Sequence, residues 1–139
     1  MVDKFVGTWK LINSDGFDDY MKILGVGFAT RQVGNYIKPN LTFKMDNQGI
    51  INVKSESTFK TIEIQFKLDE PFEETTPDGR ETMSIFTLEN GKLVQKQTWG
   101  GKETTIERQI ADDGKLIAVR IHFLSLCVPQ MVLYCCVLL

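Results

Sequence analysis

The chain has 139 residues, with 16 Lys and Arg against 18 Asp and Glu, a formal net charge of −2 and 42% hydrophobic residues. That length fits one domain with a buried core, and a near-balanced charge without a Lys/Arg cluster excludes a nucleic-acid surface. The N-terminal Met1, Val2, Asp3 and Lys4 lack the basic-then-apolar order of a secretory signal, so a cytosolic protein is expected.

Phe5 to Asn13 reads as a first strand. Asp15 is the N-cap candidate for a helix over Phe17 to Leu24, because a short acidic side chain can accept from the first orphan amides. Gly25 and Gly27 break that helix, and a second one follows over Phe28 to Tyr36. Lys38-Pro39 stops it, since the residue before proline is pushed out of helical space. Beyond Pro39, short β-prone runs alternate with turn signals around Asp46 to Gly49, Leu68 to Pro71, Pro77 to Gly79, Glu89 to Gly91, Gly100-Gly101 and Asp112 to Gly114. Short strands at such even spacing predict an antiparallel meander, a sandwich or a barrel.

Strand parity adds detail. Ile62, Ile64, Phe66 and Leu68 alternate with Glu63, Gln65 and Lys67, one face apolar and the other polar. Leu93, Gln95, Gln97 and Trp99 share a face. Amides mixed among large apolar groups suit a wet lumen better than a dry core. In Lys102 to Ile110, residues 103, 105, 107 and 109 are polar, whereas Thr104, Ile106, Arg108 and Ile110 share the inner face. Parity therefore turns the Arg108 guanidinium inward, where it needs water, an internal acid or a bound anion; an arginine reaching back to solvent from a strand end gives the same pattern. No Ser/His/Asp set, phosphate loop or acid pair is in evidence, and Gly25-Val26-Gly27 lacks the strand and third glycine of a dinucleotide fingerprint. No enzyme activity is expected.

Gly7, Trp9, Leu11, Gly16, Phe17, Asp18 and Tyr20 together resemble the N-terminal signature of the intracellular lipid-binding proteins, the fatty acid-binding protein family. The resemblance runs on through Lys22, Gly25, Gly27, Ala29 to Arg31, Lys38-Pro39, Ser57 to Lys60, Glu73 to Thr76, Trp99 and Lys102 to Thr105, covering residues 1–119, and is nearest to the heart, brain, adipocyte and myelin group. It implies an all-β fold: a ten-stranded up-and-down antiparallel β-barrel, or β-clam, with a helix-turn-helix lid. It implies a monomeric carrier of long-chain fatty acids, cytoplasmic and in part nuclear, without cofactor or metal. Retinoid binding stays open within the same family. So does a membrane-associated or structural protein in which ligand binding is vestigial. By resemblance Arg108 matches the first arginine of the family's anion site. Phe17, Tyr20, Met21, Phe59 and Asp78 lie around cavity and portal, with Arg80 beside Asp78 in the lumen. For Tyr20 a purely packing role stands beside ligand contact, as does a surface pair for Asp78 and Arg80. Lys22, Arg31 and Lys60 fall near the portal, where the family's basic residues meet anionic membranes; a merely solvated face is the plainer reading. Trp9 and Trp99 are expected to pack at strand ends.

The last twenty residues depart from the family. Residues 121–139 contain no Asp, Glu, Lys or Arg. The family's closing Arg–x–Tyr would fall within Val128 to Met131, where this chain has Val128, Pro129, Gln130 and Met131. Three readings are open: a C-terminal membrane anchor, two strands that still close the barrel despite Pro129, or an altered end read past a splice junction after Val119. The third is preferred, because resemblance and charge are lost together there. The single His122 and the three cysteines Cys127, Cys135 and Cys136 all lie in this segment and support neither a metal site nor a disulfide framework.

Overall fold

The computed structural model describes residues 2–123 and 129–138, with side chains as far as Ile121. Val128, Cys127 and the side chains of His122, Cys135 and Cys136 lie outside the described residues. A 3-10 turn over Val2–Phe5 leads into β1 (Gly7–Asp15), α1 (Phe17–Ile23) and α2 (Phe28–Tyr36). Then follow β2 (Asn40–Met45), β3 (Ile51–Glu56), β4 (Thr61–Phe66), β5 (Phe72–Thr75), β6 (Glu81–Glu89), β7 (Lys92–Trp99), β8 (Lys102–Ile110), β9 (Leu116–Phe123) and β10 (Pro129–Leu138).

The expected N-cap is corrected. Asp15 is still in β1, opposite Leu133 of β10, so its backbone belongs to the ladder. Gly16 occupies the cap at φ 79°, with no side-chain cap hydrogen bond, in the left-handed region that glycine enters without steric cost. The chain thus turns from strand to helix in one residue. Asp18 and Asp19 in the first turn and Lys22 in the last complement the helix dipole. The first strand likewise begins two residues later than expected, because Phe5 ends the 3-10 turn. The second helix has the expected bounds.

All ten strands form one antiparallel sheet in the order β4-β3-β2-β1-β10-β9-β8-β7-β6-β5. This is an up-and-down meander wrapped so that β1 pairs with β10, leaving β4 and β5 as edges. Rings cover the break between those edges: Phe66 of β4 stacks on Phe86 of β6 at 3.8 Å between centroids and on Phe72 of β5 at 5.5 Å. Asn90 and Gly91, both left-handed at φ 53° and 80°, make the tight β6–β7 hairpin that an Asn-Gly pair favours.

The hydrophobic core comprises Val2, Phe5, Trp9, Phe43, Ile51, Val53, Phe66, Phe86, Leu93 and Leu116. These come from the starts of β1, β3, β7 and β9 and the ends of β2, β4 and β6, which in an antiparallel meander lie at one end. The 3-10 turn plugs that end, with the Trp9 indole N–H donating to the Phe5 carbonyl at 2.9 Å. The opposite end is left to the two helices.

The tail joins the sheet: β10 pairs with β9 from Pro129 opposite Phe123 to Cys136 opposite Leu116, and with β1 from Asp15 to Trp9. Pro129 is the first residue of its strand, where a missing N–H is tolerated. The described part of the tail supplies the closing strand; an origin past a splice junction is a question for the transcript and not for the fold. Among the described residues no helix is long and apolar enough to cross a membrane.

Candidate functional site

A cavity of about 290 Å³ lies between the helix pair and the open end of the sheet. Its wall is largely aliphatic and aromatic, including Leu11, Phe17, Met21, Leu24, Val33, Ile37 and Ile62. Among the described residues the wall carries four cationic side chains, Lys38, Lys60, Arg80 and Arg120, and one acid, Asp78. Such a space prefers an apolar body bearing a negative charge.

Helix α1 is seated by Tyr20 and Met21, both buried. The Tyr20 hydroxyl donates to Thr104 Oγ1 of β8 at 3.3 Å, and its ring lies 5.4 Å from the Arg120 guanidinium. Tyr20 therefore packs the lid onto β8 and is also on the cavity wall. Helix α2 comes close to α1 at Gly34, where a β-carbon would stand 3.1 Å from Met21 Sδ. Phe59, on the loop between β3 and β4, is at the mouth and 66% exposed.

Asp78 and Arg80 form a chelated pair. Arg80 Nε donates to Asp78 Oδ2 at 2.7 Å and Nη2 to Oδ1 at 3.0 Å, while Thr76 Oγ1 donates to Oδ1 at 2.6 Å. Burial pushes the Asp78 carboxyl up, but the hydrogen bonds from Arg80 and Thr76 and the Arg80 charge outweigh it, so it sits below the ordinary carboxylate value. The Arg80 guanidinium also lies 4.4 Å from the centre of the Trp99 ring. The pair is at the rim of the cavity, on its wall and with Asp78 exposed to solvent.

Arg108 is buried at 9% exposure, as parity predicted, but it is not on the cavity wall. Its Nη1 donates to Gln95 Oε1 at 3.0 Å, and it lies 5.8 Å from the Phe86 ring. Behind it is a carboxylate that sequence reasoning did not place inside. Buried Glu74 accepts at one oxygen from Ser84 Oγ (2.7 Å), Gln95 Nε2 (2.9 Å) and Gln97 Nε2 (3.1 Å). The signal for Glu74 was present, since Phe72 and Glu74 share a face of β5, but a four-residue strand is a short basis for parity. The second omission is Arg120. Leu116, Ala118 and Arg120 share a face of β9, and the first two are buried; the argument applied to β8 finds it.

The expected portal cations are divided. Lys22 pairs with Asp18 at 3.4 Å, and Arg31 with Asp18 at 3.3 Å and the Val26 carbonyl at 2.7 Å. The Asn35 amide and these cations hold the Asp18 carboxyl below its ordinary value, against desolvation. Lys60 reaches the Pro77 carbonyl at 3.2 Å. Phe28 and Tyr36 on α2 are 68% and 84% exposed.

With this geometry in hand, similarity to known proteins is informative. The sequence profile of the Lipocalin / cytosolic fatty-acid binding protein family matches residues 6–121. The chain is 53% identical over 117 residues to the adipocyte fatty acid-binding protein of Pygoscelis papua, covering 84% of this chain and 87% of that one. Its fold is similar to the crystal structure of Echinococcus granulosus fatty-acid-binding protein 1, with TM-score 0.91, 40% identity and 99% and 98% of the two chains covered. It is also similar to the Schistosoma mansoni fatty acid binding protein in complex with arachidonic acid, with TM-score 0.87, 35% identity and the same coverage. The profile match stops at residue 121, where charged residues also end.

Proposed function

The chain belongs to the lipocalin / cytosolic fatty-acid binding protein family, and on that premise we propose that it binds long-chain fatty acids non-covalently in its cavity and carries them through the cytosol. The observation that carries this is the wall itself: largely apolar, with four cations against one acid. Relatives named for fatty acid binding, one of them in complex with arachidonic acid, support the ligand class.

The energetics suit such a ligand. Burial of each methylene contributes about 0.8 kcal/mol, so a chain of roughly sixteen carbons offers about 12 kcal/mol gross. Association and ordering remove several of these, leaving an affinity in the nanomolar to micromolar range. In this reading Phe17, Tyr20, Met21 and Phe59 line the path of the acyl chain, while Asp78 and Arg80 brace the rim. Arg108 stands behind the wall and orients the carboxylate at a distance, through water. The protein acts as a monomeric, single-domain carrier without catalytic turnover, in cytosol and nucleus.

Exposed Phe28, Tyr36 and Phe59 beside Lys22, Arg31 and Lys60 favour an added role, a transient landing of the portal on anionic bilayers. A purely structural membrane role without ligand is the competing reading. Calorimetric titration of delipidated protein with oleate and with retinoic acid is the test. Saturable one-to-one binding of oleate, tighter than of retinoic acid, is expected. A folded monomer that binds neither overturns the carrier reading, and tighter retinoic acid binding moves the ligand class.

A further inference from the structure

We propose that Met21 reduces fatty acid hydroperoxides held in the cavity: its thioether takes one oxygen from the cargo, leaving a hydroxy fatty acid and a methionine sulfoxide. The inference rests on the fatty-acid reading above and adds a chemical step for the peroxidised members of that ligand class.

Among the described residues, Met21 carries the one sulfur on the cavity wall. It is 6% exposed, and a β-carbon at Gly34 would stand 3.1 Å from its Sδ and 3.6 Å from Phe17 Cε2. The thioether thus fills the place that a side chain at position 34 would take, between α1 and α2, with the cavity on its other side.

This placement sorts oxidants by where they dissolve. Methionine oxidation needs contact between the sulfur and the peroxide. Met45 and Met83 are 41% and 47% exposed, so a peroxide dissolved in water reaches them before it reaches Met21. A hydroperoxide on an acyl chain inside the cavity meets Met21 alone among these three. Polyunsaturated chains take up oxygen along the chain, away from the head group. The new group therefore travels beside the wall that Phe17, Met21, Val33 and Ile37 form on the helix side. Contact held within a site replaces a bimolecular encounter and raises its rate, and a flexible, polarizable thioether adapts to irregular geometry.

The step balances. The Met21 sulfur attacks the terminal peroxide oxygen, the O–O bond breaks, and the hydroperoxide proton passes to the alkoxide left on the chain. The hydroperoxide is reduced to a hydroxyl group and the thioether is oxidised to a sulfoxide, with no other reductant consumed. The reaction is stoichiometric, one hydroperoxide per chain, until the sulfoxide is reduced again.

The test incubates delipidated full-length protein with one equivalent of linoleic acid hydroperoxide carrying a heavy-oxygen label in its O–O bond. Parallel samples receive hydrogen peroxide, or the labelled hydroperoxide with excess oleate. Peptide mass spectrometry reads which methionine gains oxygen, and chromatography reads the hydroxy acid. Met21 is expected to take the label at least about tenfold faster than Met45 or Met83, with an equal amount of hydroxy acid formed, and oleate is expected to suppress both. With hydrogen peroxide, Met45 and Met83 should be oxidised first. Met21→Leu, brought to measured saturation with the hydroperoxide, should form no hydroxy acid above the protein-free rate. Labelling of Met45 and Met83 ahead of Met21 overturns the proposal while the carrier reading stands. So does Met21 labelling that excess oleate leaves unchanged, a result that needs no variant. Hydroxy acid formation that survives in Met21→Leu overturns it as well. Absence of oleate binding by folded wild type overturns both.

Discussion

Glu74 and Arg108, a buried carboxylate and a buried guanidinium, are joined by a single amide. Gln95 donates its Nε2 hydrogen to Glu74 Oε1 at 2.9 Å and accepts Arg108 Nη1 on its own Oε1 at 3.0 Å. Isolated, either charge would be costly in this interior; linked, each sees the opposite sign through one polarisable group. Gln97 also donates to Glu74, at 3.1 Å, but serves that one charge. We expect Gln95→Leu to destabilise by about 3 kcal/mol and Gln97→Leu by about half of that, measured by urea denaturation. Equal losses for the two would remove the bridging role from Gln95.

The three rings over the β4–β5 break carry a second expectation. Phe86 is nearly inaccessible, and its ring is almost parallel to that of Phe66, with 5° between planes. Truncating such a residue costs transfer free energy plus a cavity, about 3–5 kcal/mol. Phe86→Ala should lose that much, and amides of β4 and β5 should show the largest rise in hydrogen exchange, because no ladder joins those edges. A uniform rise across the sheet would contradict the bridging role.

Asp78 makes stability depend on pH in a defined sense. Its carboxyl is below the ordinary value of 3.8 when folded. A depressed carboxylate contributes stability in full above its unfolded value, and that contribution is lost as pH falls through the folded value. Wild type should therefore lose stability below about pH 4, and Asp78→Asn should lose less over the same range. Denaturation midpoints of both proteins from neutral pH downward check the sign; parallel curves would dissociate the Asp78–Arg80 pair from acid sensitivity.

Gly34 separates stability from binding. A β-carbon there meets Met21 Sδ at 3.1 Å and Cε at 3.4 Å, and a methionine side chain shifts at little cost. Alanine also gains helix propensity of about 1 kcal/mol over glycine. Gly34→Ala should leave the melting temperature unchanged or raised while weakening oleate, since Gly34, Met21 and Phe17 all line the cavity. A melting temperature lowered by several degrees would show that the α1–α2 contact cannot relax.

Much of this was legible in the chain itself. The bounds of α2 follow from Gly27 and Pro39, because glycine's freedom disfavours helix and proline restricts the residue before it, both local effects. The inward turn of Arg108 follows from alternation along β8, a property of one strand. Asp15 misled for a related reason: an acidic residue before a helix signals a cap only if the preceding strand has ended, and β10 extends β1 through that position.

What the tertiary structure alone decided is which inward residue faces filled space and which faces the cavity. Gln95 is 21 residues from Glu74 and 13 from Arg108, so that network exists only after β5 to β8 take their order in the sheet. Arg108 and Arg120 have the same parity on neighbouring strands and cannot be ranked by alternation. Tyr20, 84 residues from its Thr104 partner, ranks them by bringing the lid over one and not the other. The tail is the same case: residues 129–138 carry no family signature and no charge, yet β1 and β9 each present an edge whose backbone hydrogen bonds any extended segment can satisfy. Periodicity is a local property and survives in sequence; adjacency is set by chain closure and does not.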